Sequence, residues 1–371
     1  MSAPRADLRH AAEVRPDAGT GRGQGMAARL PALTVEELAG VLGSAARARA
    51  VLRWLHATPT LPPVLPARLD GVAAGPWSAL RTAAGWRPPV VRERRTSADG
   101  AAKYALDFSD ARVETVRIPG RGRSTVCVSS QAGCTRRCVF CATQALGFAR
   151  QLRADEIVLQ VMLAAREAPP EAPLRNVVFM GMGEPMDNLD EVLRAVRVLT
   201  QGPAPQLRAQ AVTVSTSGVL PGMDRFLRES TASLALSLNA TTDALRTRLM
   251  PHGRIWPIAD LLGLLRAAAA RQPRREHFVE YVLFAGLNDA PADADRLVAL
   301  LDGIGARINL IPHNPFPGSA LRAPAPEGVR AFHARIAAHG RRVFVRWPRG
   351  QAIAAACGQL AGTACAEASA G

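Results

Sequence analysis

Cys134, Cys138 and Cys141 form a C-x3-C-x2-C run, and Cys127 lies upstream in the same stretch, CVSSQAGCTRRCVFCATQALGF, which holds four of the chain's six cysteines. Three thiols so close in sequence can meet on one loop and hold a metal. A structural zinc asks for four ligands, usually two paired C-x2-C elements or added histidines. No histidine lies between His56 and His252. Thiolates at short loop spacings suit an iron–sulfur cluster better. Three ligands on a four-iron cluster leave one iron open, and an open iron can chelate a small molecule and pass it an electron. A fortuitous group of buried cysteines is the blander reading and fits least. In a reducing cytosol, clustered cysteines serve as ligands or catalysts more often than as structural disulfides.

The elements that must present these thiols follow from the hydrophobic pattern. Strand-like runs at 125–129, 176–180, 211–215, 233–238, 278–284, 306–311 and 342–346 alternate with helical patterns at 154–167, 189–200, 221–229, 243–249, 258–271, 291–302 and 326–338. Such alternation predicts parallel βα units, in a barrel or a doubly wound sheet, and periodicity does not separate the two. In either, chemistry gathers at the carboxyl ends of the strands. The cysteine run follows the first of these strands, where a site belongs. Ahead of it, residues 34–56 have helical spacing, with Thr34 a plausible N-cap and Glu37 three residues on. Another short helical piece falls near 76–84. The runs KYALDF and VETVRIP around the turn SDA predict a β-hairpin. The chain thus divides into an aperiodic, disordered extension (1–30), a helical accessory module (31–95), a linking hairpin (96–123), the βα body (124–350) and a C-terminal segment (351–371).

Composition sets outer limits. Hydrophobic residues at 48% are enough for a sizeable core. No run of about 18 apolar residues appears, so no membrane span is expected. The first 30 residues carry scattered charges and no apolar core of a signal peptide, which makes the cytoplasm the default location. The net charge of +15 points toward a polyanionic partner such as nucleic acid. Lys103 is the only lysine, however, and Ala and Gly are abundant, a profile that GC-rich coding explains equally well.

The cysteine run, with Phe140 just before its last member, resembles the signature of the radical S-adenosylmethionine (SAM) superfamily. The likeness is closer still to the RlmN/Cfr group of RNA adenine methyltransferases. It runs through VETVRIP, CVSSQAGC, the spaced GF-R-L-ADEI, NVVFMGMGEPMDN, VTVSTSG, LALSLNA, EYVLFAGLND, INLIPHNP and RGQAIAAACGQLAG, in order from about residue 34 to 362. The resemblance implies an α/β fold, a partial (β/α) barrel with a small N-terminal helical module that helps to hold RNA. It implies a [4Fe-4S] cluster on Cys134, Cys138 and Cys141, with SAM on the open iron. Gly183, Glu184, Ser215, Ser237, Leu238, Asn239 and Asn314 become the SAM contacts. Taken singly, these Gly, Ser and Asn residues would be ordinary turn formers. Gly181 and Gly183 are also expected to let the backbone approach a ligand closely.

The same resemblance gives roles to two further cysteines. Cys357 matches the residue that first accepts a methyl from SAM, and Cys127 the one that later displaces the carbon and forms a disulfide. Taken alone, each would be a small core residue. Glu114, in VETVRIP, matches the base that removes the ring proton, although by itself it reads as a solvent-facing strand residue. Cys365 matches nothing. Carbons 2 and 8 of adenine carry no lone pair and cannot attack a sulfonium methyl, which is why a radical route is needed. The implied substrate is carbon 2 of an adenosine in 23S ribosomal RNA, with transfer RNA as a further substrate. A reducing protein such as flavodoxin or ferredoxin would supply electrons to a monomeric enzyme. Carbon 8, a peptide or small-molecule substrate, and an RNA-binding protein with a structural metal are the alternatives. Three positions depart from the family pattern: Ala352 replaces an acidic residue, HGRIWP follows LMP, and TQALGF lacks a lysine. None removes a cysteine or Glu114; what they put at issue is the fit to RNA.

Overall fold

The computed structural model describes residues 30–83 and 86–361. The expected disordered extension and Cys365 therefore lie outside the described residues, apart from Leu30, which opens a short 3-10 turn, Leu30–Ala32. Thr34 caps the first helix with a full capping box: its hydroxyl accepts from Glu37 N, and the Glu37 carboxylate accepts from Thr34 N. The single helix expected over 34–56 is in fact two, α1 (Val35–Leu42) and α2 (Ala45–Ala57). The chain turns left-handed at Gly43 and restarts at Ser44. α3 (Ala74–Ala83) follows, and its Trp77 donates to Pro66 O at 2.9 Å and packs edge-on against Trp54.

A strand the sequence did not betray, β1 (Val90–Thr96), comes next and pairs antiparallel with β2 (Ala102–Phe108). Its sequence, VVRERRT, is charged and nearly all exposed because it is a sheet edge, so it shows no apolar alternation. The expected hairpin is β2 with β3 (Ala111–Gly120), and β3 pairs antiparallel with β4 (Arg123–Cys127). A further small antiparallel pair, β5 (Gln131–Gly133) and β6 (Phe148–Gln151), closes the base of the cysteine loop. It is too short to leave a periodic signal.

The rest alternates as expected: α4 (Ala154–Arg166), β7 (Leu174–Phe179), α5 (Leu189–Gln201), β8 (Val212–Thr216), α6 (Leu220–Glu229), β9 (Ser233–Ser237), α7 (Asp243–Leu249), α8 (Ile258–Arg271), β10 (His277–Leu283), α9 (Pro291–Leu300), β11 (Arg307–Pro312), α10 (Pro326–Ala338) and β12 (Val343–Val345). One ten-stranded sheet has the order β1-β2-β3-β4-β7-β8-β9-β10-β11-β12, parallel from β4 onward. The order never reverses, so there is no switch point of the doubly wound kind. β12 does not return to pair with β4, which leaves a partial barrel. Strands covered on both faces read as continuous apolar runs, with Val212, Val214, Leu234, Leu236, Val279, Ile308 and Leu310 fully buried. Among the described residues no helix is long and apolar enough to cross a membrane.

Candidate active site

At the carboxyl ends of the parallel strands lies a cavity of about 170 Å³. Cys134, Cys138 and Cys141 line it from the loop between β5 and β6, Gly183 and Glu184 from the end of β7, Ser215 from β8, Ser237 and Asn239 from β9, Glu280 from β10, and Asn314 from beyond β11. The cysteine loop is pinned by backbone bonds from Cys134 N to Gly147 O (2.8 Å), Val139 N to Leu249 O (3.0 Å) and Ala142 N to Gly358 O (2.7 Å). A larger cavity, about 1190 Å³, lies between α4 and the β1–β2 strands and contains no cysteine. The two glycines of GMGEP are explained differently from expectation. A Cβ at Gly181 would sit 2.7 Å from Val128 O, and one at Gly183, at φ +105°, would sit 2.6 Å from Gln131 Cβ. The close approach they permit is to the chain entering the cysteine loop, with or without a ligand.

The residues fit an iron–sulfur cluster and SAM by the chemistry of their donors. Burial pushes the Cys134 thiol up to about 12 and drives Cys138 and Cys141 upward too. Such thiols stay protonated unless a cation takes the proton's place. Among the described residues no three His, Cys, Asp or Glu side chains converge closely enough to hold a single ion. A four-iron cluster is broader than an ion, so its ligands need not meet at a point. Beside the loop, Arg246 is wholly buried, donates to Ser217 O at 2.5 Å and sets a positive charge near Cys138. Ser217 donates its N–H (2.8 Å) and its hydroxyl (2.6 Å) to Glu184 Oε2. Burial raises the Glu184 carboxyl and these bonds oppose the rise. Asn314 donates to Cys357 O at 3.1 Å while its buried Oδ1 has no hydrogen-bond partner. An orphaned acceptor on a cavity wall suits a donor on a bound molecule. Asn239 holds a left-handed backbone (φ 60°), fixed by Val282 N to its Oδ1 (2.9 Å) and by Asn288 to its carbonyl (2.9 Å).

Cys357 reaches this cavity on a strap, residues 350–361, that crosses from the end of β12 back toward β2 and β3. Asp99 accepts from Gly350 N (2.9 Å), Lys103 Nζ donates to Ala354 O (3.2 Å), Thr143 donates to Leu360 O (2.5 Å), and Glu114 Oε2 accepts from Ala361 N (3.0 Å). Lys103 and Glu114 also pair with each other at 2.8 Å, both out of solvent. Glu114 is therefore no solvent-facing strand residue; it is fully buried and bonded to the strap, and it does not itself line the cavity. Cys357 is open, but to the cavity rather than to the outside, and burial with the Glu280 charge lifts it to about 11. Cys127, at the buried end of β4, is driven higher still by burial, with the charge of Cys357 adding to the rise. The fold brings the two thiols close enough for the charge of one to act on the other, although the chain separates them widely.

Of the residues singled out from sequence, Leu238, Glu114 and Cys127 do not line the cavity, and all three side chains are buried, that of Leu238 in the apolar core. Sequence reasoning missed Glu280. Its Oε1 accepts from Asn309 Nδ2 (2.7 Å), and burial pushes its carboxyl up to about 7. The available signal was a carboxylate within an otherwise apolar interior strand, FVEYVLF.

Comparison with known proteins bears on this arrangement. The sequence profile of the radical SAM superfamily matches residues 128–298. The chain is 46% identical over 336 residues to a probable RNA methyltransferase of Sorangium cellulosum, covering 88% of this chain and 84% of the relative. It is 43% identical over 334 residues to the dual-specificity RNA methyltransferase RlmN of Anaeromyxobacter dehalogenans, covering 87% and 88%. Among solved structures, a radical SAM methyltransferase from Sphaerobacter thermophilus is 37% identical with a TM-score of 0.81, covering 89% of this chain and 98% of that one.

Proposed function

The chain belongs to the RlmN-type RNA methyltransferases of the radical SAM superfamily, and from that membership we propose that it methylates carbon 2 of an adenosine in 23S ribosomal RNA, and in transfer RNA, through a methyl carried on Cys357. The observation that carries this reading is the meeting of four cysteines, Cys134, Cys138, Cys141 and Cys357, around one cavity at the carboxyl ends of the strands, with the buried Cys127 within electrostatic reach of Cys357.

Cys134, Cys138 and Cys141 would hold a [4Fe-4S] cluster, and Gly183, Glu184, Ser215, Ser237, Asn239, Asn314 and the backbone of Leu238 would frame SAM. When bound, the cluster supplies the electron that splits SAM and so gives the site a carbon radical. Cys357, facing the cavity, loses its proton as its sulfur takes the methyl. The methyl carbon gives up one hydrogen atom to that radical and then joins the ring. Cys127, which does not line the cavity but is within electrostatic reach of Cys357, is the thiol placed to displace the carbon from sulfur, one electron leaving as the disulfide forms. Glu114 accepts the ring proton, with Lys103 balancing the carboxylate charge, and the carbon released from Cys357 takes up a proton to become the new methyl. The resulting Cys127–Cys357 disulfide must be reduced by two electrons before the next cycle, from an external reducing protein such as flavodoxin or ferredoxin. The enzyme acts as a monomer.

The test is mass spectrometry of nucleosides from RNA treated with reconstituted protein, SAM and reductant. The expected product is 2-methyladenosine. Methyl on carbon 8 would move the assignment to the alternative regiochemistry, and unmodified RNA with ongoing SAM cleavage would count against RNA as the substrate.

A further inference from the structure

β12 is the edge of the ten-stranded sheet, and among the described residues no strand pairs beyond it. Along it and the turn that follows, the sequence reads RVFVRWPR. Val343 is buried and Val345 half-buried, while Arg342, Phe344 and Arg346 alternate with them on the open face. Phe344 is 43% exposed and Trp347, at the strand's carboxyl end, is 46% exposed. The Arg346 guanidinium lies over the Phe344 ring, 5.7 Å from its centroid. Its Nε donates to Asn309 Oδ1 at 3.0 Å, and Asn309 in turn holds Glu280 on the cavity wall. This open face is thus tied to the site by two hydrogen bonds, and the strap bearing Cys357 begins three residues after Trp347. Among the described residues, Arg342 and Arg349 form no salt bridge, although Arg349 is near enough to Asp99 to help lower its carboxyl, and the sequence has no Asp or Glu from Gly328 to Ala366.

Exposed aromatic rings interleaved with arginines that form no salt bridge suit a partner with flat π-faces and a repeating negative charge. Unpaired nucleotides have both; a duplex turns its base faces inward, and a protein strand added to this edge would bring no regular anionic charge to meet the arginines. We propose that the Arg342–Arg349 stripe is a stacking platform for single-stranded nucleotides flanking the target adenosine, with Phe344 and Trp347 taking bases and Arg342 and Arg349 their phosphates. This rests on RNA being the substrate, and it adds that the bound segment is unpaired.

The test is binding of a fluorescent single-stranded oligoribonucleotide, and of the duplex of the same sequence, to the reconstituted full-length protein over a range of salt. Trp347→Ala should weaken single-strand binding about tenfold without altering the salt slope, because stacking carries no charge. Arg349→Ala should instead reduce the slope of log K against log salt by about 0.7. Trp347→Phe should restore most of the loss, which sets stacking apart from a folding defect. Phe344→Ala, at a second exposed site, gives an independent reading. Equal binding by wild type, Trp347→Ala and Phe344→Ala would overturn the proposal. So would an equal loss on the duplex, or a dimer in light scattering that Trp347→Ala dissolves. Methylated RNA with neutral Trp347 and Phe344 variants would sink the platform and leave the activity standing. Trp347-dependent binding to RNA that is never methylated would do the reverse.

Discussion

Cys127 and Cys357 are the same functional group in two settings, and the settings assign the order of work. Cys357 faces the cavity, while Cys127 is closed off at the end of β4 and more strongly held as a thiol. The Cys357→Ala protein should place no methyl on protein or RNA. Cys127→Ala should accumulate RNA joined covalently through Cys357, a slow gel band removed by RNase and resistant to thiol reductant, since among the described residues the remaining thiols are the three of the cluster loop. The three loop cysteines fail differently: replacing Cys134, Cys138 or Cys141 by Ala should abolish the brown absorbance and the roughly four irons per chain of anaerobically reconstituted protein. Glu280 offers a test of stability. Its carboxyl titrates near 7 in the fold and near 4.5 unfolded, so the native state holds the extra proton between these values. Its contribution is present below about pH 4.5 and lost as pH rises through 7. Glu280→Gln should then raise stability at pH 8 by on the order of 3 kcal/mol and change little at pH 4, as read by denaturant melts. The loop cysteines that line the cavity stood out in the sequence because they are confined to eight residues, Cys134 to Cys141. Glu280 did not, because what makes it unusual is burial, which only the folded sheet supplies, with Asn309 on the next strand and Arg346 opposing the rise.

At the scale of elements, the strap is held from behind by the β2–β3 pair, and Lys103 is its clasp. It ties Glu114 and the Ala354 carbonyl together, while Glu114 holds the Ala361 amide, so the two ends of the Cys357 segment share one buried ion pair. Removing one member of such a pair strands a charge, at a cost of about 3–5 kcal/mol. Lys103→Met should lower the melting temperature and speed amide hydrogen exchange across 350–361 while β7 stays protected. The double variant Lys103→Met/Glu114→Gln should recover much of the stability, whereas additive losses would show that the pair is not coupled. The parallel strands and their helices were readable because burial on both faces writes long apolar runs into the sequence. β1 and the β5–β6 pair were not: one is a charged edge, and the other is three and four residues long. The break between α1 and α2 hangs on Gly43, which helical spacing on either side concealed.

Over the whole molecule, forty-six basic residues against thirty-one acidic ones give a field that attracts RNA from a distance, and many of those arginines are spent on internal ion pairs. RNA affinity should fall steeply between low and physiological salt, with each phosphate contact contributing about 0.7 to 0.9 to the slope; salt-insensitive binding would contradict an electrostatic footprint. The strap itself could not be placed from sequence, since its partners are brought to it only when β12 ends beside the cavity. The role proposed for it is to carry carbon on Cys357, and isotope retention tests that directly. A methyl held on Cys357 must give up one hydrogen before its carbon can join an electron-poor ring carbon, whereas direct transfer from SAM would keep all three. Supplied with SAM bearing a fully deuterated methyl, the enzyme should yield methyladenosine with two deuteriums on the new methyl. Methyladenosine that retains all three would contradict transfer through Cys357.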